Sequence, residues 1–213
     1  MDMQISKLNA VHVPDAIRLL TEAFADDPWM SYFCPDKIKR STSLLPALFG
    51  NLVPVMVKAG HVLGVFCTDE KGTKVLAAVA IWTPPGAKDP AQESLFSFAL
   101  DMVKAAGLKA LFRFIKDVQR ILPYKAKLTN DEPHWYLAVL GCDSKFRGQG
   151  FGSRLIELVT KFADATGRIC YLENSNPKNL GLYTRNGFKV EKVVEPVAKD
   201  GASIWCMVRH PKC

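Results

Sequence analysis

The sequence predicts a mixed α/β chain built around one central sheet with helices on its flanks, and three observations carry that prediction. Apolar periodicity switches between the helical and the strand period, in the order helices, hairpin, helices, then strand, helix, strand, helix and hairpin. The run "HWYLAVLG" is almost continuously apolar, as a strand covered on both faces should be. At 213 residues and 48% hydrophobic, the chain suffices for one full core, so residues 1–213 are expected to form a single domain.

Taken in order, "VPDAIRLLTEAFADDP" sets Ile17, Leu20 and Phe24 on one face between Pro14 and the Asp26-Asp27-Pro28 stop, which reads as a first helix. Asp36 to Lys58 is also helical in pattern, with Pro46 and Pro54 expected to kink or divide it. "HVLGVFCT" and "KVLAAVAIWT", split by "DEKG", form an antiparallel hairpin that "TPPG" terminates. Residues 89 to 120 give a helical hairpin: Leu95, Phe98 and Met102 precede Gly107, and Leu111, Phe114, Ile115 and Val118 follow it. After "HWYLAVLG" comes a glycine-rich turn and a helix with Leu155, Leu158, Val159 and Phe162 on one face, Glu157 and Lys161 paired on another, and Gly167 as its stop. "RICYLEN" is the next strand. In "SNPKNLGLYTRNGF", Asn176 caps a short helix that opens on Pro177 and ends at Gly187. "FKVEKVVEPV" and "SIWCMV", joined through "KDG", close the sheet as a terminal hairpin.

The start of the chain lacks the basic-then-apolar pattern of a signal peptide, and no apolar run approaches the roughly 20 residues of a membrane span. The cysteines Cys34, Cys67, Cys142, Cys170, Cys206 and Cys213 contain no CxxC pair and mostly sit in apolar runs, so neither disulfides nor a metal site is expected and a reducing, cytoplasmic setting fits. A net charge of +7 favours an anionic partner such as a phosphorylated cofactor. The basic residues form no dense run and no RNP-like, zinc-finger or helix-turn-helix signature is present. Neither nucleic acid nor a membrane is therefore expected as a partner.

The chemistry is concentrated in "CDSKFRGQGFGSRLIELV". A strand entering a glycine-rich turn that opens a helix is an anion site, because the first helical N–H groups lack intrahelical acceptors and the helix dipole favours negative charge. Gly148, Gly150 and Gly152 permit close backbone approach and Arg147 adds a positive charge. A dinucleotide fingerprint would need a third glycine where Ser153 or Leu155 stands, although Glu173 sits about 20 residues on where a ribose-binding acid would lie. The P-loop spacing fails as well. What fits is R-x-x-G-x-G, Arg147 to Gly152.

That motif, followed by N-x-x-x-Y-x-x-x-G-F from Asn179 to Phe188, resembles the acyl-CoA-binding elements of the GNAT superfamily of N-acetyltransferases. The stretches "EAFADDP", "VAIWTPPG", "PHWYLAVLGCDSKFRGQGFGS", "YLENSNPKNLGLYTRNGF" and "IWCM" look like the puromycin N-acetyltransferase group within it. The resemblance implies a mostly antiparallel sheet splayed between strands 4 and 5, with the pantetheine arm of acetyl-CoA inserted in the splay. It implies that the backbone of Leu140, Gly141 and Cys142 meets that arm, that Arg147, Gly148, Gln149, Gly150, Phe151, Gly152 and Ser153 surround the pyrophosphate, and that Asn179 touches the arm.

The same resemblance makes Tyr183 the general acid for the departing thiolate, on the helical face of Asn179. For the base that takes the proton of the attacking ammonium, Glu173 is the first candidate, and Glu132 and His134 follow. Asp26, Trp29, Tyr32 and Trp82 are candidates for the acceptor pocket, since aromatics with a carboxylate suit a cationic amine. Direct attack in a ternary complex is expected, because no cysteine with an adjacent histidine base sits at the motifs; Cys142 is the nearest thiol. The expected activity is acetyl transfer from acetyl-CoA to a primary amine of a small molecule, by a monomer or homodimer. The alternatives are a protein lysine or N-terminal acetyltransferase and a CoA-binding sensor without turnover, with a nicotinamide oxidoreductase more remote.

Overall fold

The computed structural model describes residues 3–87, 95–196 and 198–212, with 95 and 96 as backbone only. Seven strands form one sheet: β1 (Met3–Lys7), β2 (Val62–Thr68), β3 (Lys74–Thr83), β4 (Trp135–Cys142), β5 (Cys170–Asn174), β6 (Lys189–Val194) and β7 (Ile204–Arg209). Their order is β1-β2-β3-β4-β5-β7-β6, antiparallel throughout except for the parallel β4–β5 pair. The expected mixed α/β class and the mostly antiparallel sheet are as the sequence predicts. β1 is an addition: MQISK is short and only half-buried, too weak an alternation to stand out until it is paired with β2 at the sheet edge.

Two helical layers cover the sheet. On one face, α1 (Val13–Phe24), α2 (Pro28–Phe33), α4 (Leu45–Lys58), α5 (Leu95–Ala106) and α6 (Leu108–Thr129) enclose a core around Leu19, Leu20, Phe33, Phe49, Met56 and Met102. A one-turn α3 (Lys37–Lys39) leads into a π-helical stretch, Arg40–Leu44, closed by the Leu45 N–H on the Arg40 carbonyl. Pro46, which has no N–H for the next rung of an α-ladder, follows at once and accounts for this break, whereas α4 continues through Pro54. The helical hairpin turns at Gly107, and α6 extends to Thr129, past the expected end at residue 120. The expected hairpin's first residues, 89 to 94, lie outside the described ones.

On the other face α7 (Phe151–Ala165) and α8 (Leu180–Arg185) pack with Trp82, Leu137 and Met207. The buried side of α7 is Phe151, Leu155, Ile156, Val159, Thr160 and Ala163; Phe162, expected in the core, is 59% exposed. The Glu157–Lys161 pair forms, at 3.0 Å. Both α7 and α8 end in the same way: the N–H of Arg168 reaches the Ala163 carbonyl after Gly167, and that of Phe188 reaches Tyr183 after Gly187. These are glycine-terminated Schellman closures, read correctly from the sequence.

Candidate active site

The fourth and fifth strands part as they leave their paired ends. Only Trp135, Tyr136 and Leu137 of β4 align with β5, opposite Cys170, Tyr171 and Leu172. On the other side of β4, Ile81 faces Val139 while the next residue, Trp82, faces Leu137, so Ala138 is an extra residue in the ladder. Such a bulge bends its strand and increases the local twist. From Ala138 to Cys142, β4 keeps β3 on one side and has no strand on the other. This is the expected splay, and Leu140, Gly141 and Cys142 offer their backbone along the open edge. Gly141 packs tightly under α1: a Cβ there would stand 2.6 Å from Cδ2 of Leu20 and 3.3 Å from Cβ of Ala23, so a larger residue would make the α1 side chains give way.

The chain then turns through Asp143, whose carboxylate accepts the Lys145 N–H at 2.9 Å, and is anchored by buried Phe146. Arg147, Gly148, Gln149 and Gly150 are exposed. Gly148 and Gly150 have φ of 80° and 82°, the left-handed region that other residues enter at a cost. Gly150 stands immediately before α7, whose first intrahelical bond runs from the Arg154 N–H to the Gly150 carbonyl. The amides of Phe151, Gly152 and Ser153 are thus left for an outside acceptor. The hydroxyl of Ser153 accepts a hydrogen bond from Asn186 Nδ2 at 3.1 Å, which ties the start of α7 to the end of α8. Asn186 was not among the sequence candidates.

On the opposite face, a cavity of about 250 Å³ opens against Ala138 and Val139. Phe24, Trp29, Phe49, Phe98 and Phe114 give it aromatic walls, and Asp27 and Glu173 are its only charged lining residues among the described ones. Burial pushes the Glu173 carboxyl above the usual carboxylate range, opposed by a hydrogen bond from Tyr136 and the charge of Lys125. The Lys125 ammonium lies 3.6 Å from the centre of the Tyr136 ring. Tyr171, two residues before Glu173 on the same face of β5, is wholly buried with its hydroxyl beside Glu173 and Cys206. Burial drives that phenol's pKa upward, and the Glu173 charge adds to the shift.

Asp27 is 8% exposed. It caps α2 by accepting the N–H groups of Trp29 and Met30 and also accepts the Ser175 hydroxyl. Its carboxyl is nonetheless raised by burial. Tyr183 is buried, and its phenol is pushed upward first by burial and then by the charge of Asp27, which places the two within electrostatic reach. Asn179, one turn ahead, is exposed at the start of α8.

Of the remaining sequence candidates, Trp29 lines the cavity and donates its indole N–H to Asp117 at 2.9 Å. Five others do not belong there. Asp26 is exposed and paired with Lys37 at 2.8 Å; the buried carboxylate is its neighbour Asp27. Tyr32 packs in the core against Phe33, with the Arg113 guanidinium 4.4 Å from its ring. Trp82 lies on the α7 face against Trp135. Glu132 and His134 precede the paired end of β4, where the Glu132 carbonyl meets the His134 ring at 2.8 Å and His134 packs on Tyr171. Burial lowers the His134 pKa, but the residue does not line the cavity.

The sequence could have given Asp27: an aspartate directly before a proline that opens a helix is an N-cap. Ser175 and Tyr136 had no such local sign, because their roles arise from β5 and β4 lying side by side. No cluster of three or more metal-ligating side chains occurs among the described residues.

Comparison with known proteins agrees with this geometry. The model of the acetyltransferase (GNAT) family matches residues 23–188. An uncharacterized N-acetyltransferase of Schizosaccharomyces pombe is 25% identical over 99% of this chain and 84% of its own length. Among solved structures, one described as histone acetyltransferase HPA2 and related acetyltransferase, from Corynebacterium glutamicum, is 25% identical with a TM-score of 0.65, covering 100% of this chain and 98% of that one. Arylalkylamine N-acetyltransferase 2 of Aedes aegypti shares the fold at a TM-score of 0.68 and 16% identity, covering both chains completely. With the splayed strands and the glycine turn in place, the family match makes the assignment: this chain belongs to the acetyltransferase (GNAT) family.

Proposed function

We propose that the protein transfers acetyl from acetyl-CoA to the primary amine of a small molecule, within the cavity bounded by Asp27 and Glu173. The observation that carries the acceptor class is the cavity itself, small, aromatic and bearing two carboxylates. It suits a compact cation better than an extended peptide, whose backbone would bring polar groups these walls cannot satisfy. The puromycin N-acetyltransferase-like stretches in the sequence support the same class of acceptor. A reducing, cytoplasmic setting suits its free thiols Cys34, Cys67, Cys142, Cys170 and Cys206.

The donor site fits a thioester cosubstrate with a pyrophosphate. The open edge of β4 from Leu140 to Cys142 would hold the amide-bearing arm, and the amides of Gly148 to Ser153, with Arg147, would hold the phosphates. The cosubstrate supplies an activated acetyl group. Glu173 takes the proton of the attacking ammonium: its raised pKa brings it closer to an amine than an ordinary carboxylate would be. Asp27 is a poorer base, since backbone amides and Ser175 already occupy its oxygens. Tyr183, held protonated by burial, donates to the departing sulfur. Direct transfer is favoured over a covalent route, because burial pushes the Cys142 thiol up to about 11 and so disfavours the thiolate such a route needs.

The test is release of free CoA thiol from acetyl-CoA across a panel of small aryl and alkyl amines, beside lysine-containing and N-terminal peptides. Turnover of the small amines alone supports the reading; preference for the peptides overturns it in favour of a protein acetyltransferase. Binding of acetyl-CoA with no turnover of either makes the protein a sensor.

A further inference from the structure

A helix on the surface of a globular protein has one apolar face, toward the core, and a polar one outside. α6 has two apolar faces. Its inner one, with Ala110, Phe114 and Ile121, packs into the protein. Its outer one carries Leu108, Phe112, Ile115 and Leu122, which are 62%, 68%, 41% and 56% exposed. Four of the ten exposed large hydrophobic side chains among the described residues therefore lie on this one helix. At about 100° per residue these four fall within an arc of about 80°. They form an apolar ridge over the first 15 of the helix's 22 residues, with exposed Gln119 between Ile115 and Leu122.

The charges on α6 sort in the same way. Arg113 stacks on Tyr32, Arg120 pairs with Asp117, and Lys125 covers Tyr136, all toward the protein. Lys109, Lys116 and Lys127 are exposed, have no ion pair among the described residues, and fall within about 20° of one another along one border of the ridge. The single acidic residue of the helix, Asp117, is turned inward. A ridge of large apolar side chains bordered by three unpaired lysines matches a surface that is apolar below and anionic above, and that needs no fixed pattern of acceptors.

Against the sequence expectation of no membrane partner, we propose that the outer face of α6 docks the protein on an anionic lipid bilayer, with Leu108, Phe112, Ile115 and Leu122 in the acyl boundary and Lys109, Lys116 and Lys127 at the headgroups. A second copy of the chain is disfavoured as the occupant, because it would bring a net charge of +7 and the same lysines to the contact. The docking is peripheral: no helix of the described residues is long and apolar enough to cross a membrane. The hairpin that meets the lipid also supplies Phe98 and Phe114 to the acceptor cavity.

The experiment is co-sedimentation of the full chain with vesicles of phosphatidylcholine alone and of phosphatidylcholine mixed with phosphatidylserine, at low and at raised salt. The expected result is severalfold more protein bound to the anionic vesicles, reduced by salt. Two double variants, Phe112→Ser with Ile115→Ser and Lys109→Glu with Lys116→Glu, should each lose that binding while keeping the parent's melting temperature and acetyl transfer. Equal binding to both vesicles, or variants that bind like the parent, overturn the proposal. So does a parent that dimerises in solution and becomes monomeric with Phe112→Ser, which assigns the face to a second copy.

Discussion

The hydroxyl of Ser175 donates to Oδ2 of Asp27 at 2.6 Å, joining the end of β5 to the cap of α2 across 148 residues of sequence. The bond holds the first helical layer to the far half of the sheet at the rim of the cavity. Ser175→Ala leaves a buried carboxylate oxygen without its donor, at a cost of about 2 kcal/mol. The melting temperature should fall by roughly 4–8 °C for a domain of this size. Differential scanning calorimetry checks this, and an unchanged transition would show that the contact adds nothing to stability.

Glu173 should act as a base only once its raised pKa has been passed. The acid limb of kcat/KM is then expected above the ordinary glutamate value of 4.5, with activity rising as pH rises. Glu173→Gln should lower turnover by about 10²-fold or more and abolish that limb. The sign for stability is the opposite. A carboxyl whose folded pKa lies above its unfolded one stabilises most below the unfolded pKa, and that contribution is lost as pH rises through the folded one. Glu173→Gln should therefore melt no lower than the parent at neutral pH, and higher if burial of the charge dominates.

Tyr183→Phe removes one oxygen from a buried ring that packs on Phe188 and should leave the fold in place. If the hydroxyl protonates the departing sulfur, turnover falls by about 10²-fold while the dissociation constant of acetyl-CoA changes little. Stopped-flow turnover beside calorimetric binding separates the two. A loss confined to binding would reassign Tyr183 to holding the cosubstrate.

Arg209, 4% exposed, is clamped by both oxygens of Asp164 at 2.7 Å. The hydrogen bonds from Arg209 hold the Asp164 carboxyl down at about 2. Its contribution to stability is present above the unfolded value near 3.8 and is lost as pH falls toward about 2. Asp164→Asn leaves the guanidinium buried without its counter-charge and should cost about 3 kcal/mol, flattening the acid limb of the stability curve. Urea unfolding between neutral and acid pH reads both effects.

Elements with strong local signals were legible from the residues themselves: the periodicity of α1, the β2–β3 hairpin, the caps around Asn176 and Gly187, and the glycine turn before α7. The splay between β4 and β5 was legible only through family resemblance, because a bulge at Ala138 has no composition of its own. Within the site, Tyr183 and Glu173 lie in surroundings where burial raises both pKa values. The aromatic pocket was less legible. Trp29, Tyr32 and Trp82 are alike as sequence features, and only tertiary packing sends one to the cavity, one to the core and one to the opposite face. Asp26 and Asp27 differ by a single position, yet the rigid φ of Pro28 fixes which of them becomes the cap. The outer ridge of α6 could not be seen at all until its inner stripe was known to be covered.

Because strand pairing across β4 and β5 stops after three residues, the sheet consists of two plates, β1–β4 and β5–β7–β6, meeting at one short seam. The covalent link across that seam, residues 143 to 169, contains the glycine turn and α7. A molecule that grips both the free edge of β4 and the first amides of α7 would work as a rivet, fixing the crossing segment to the plate it leaves. Amide exchange on the far plate should then slow along with exchange in the turn, so that the sheet itself registers whether its cleft is filled.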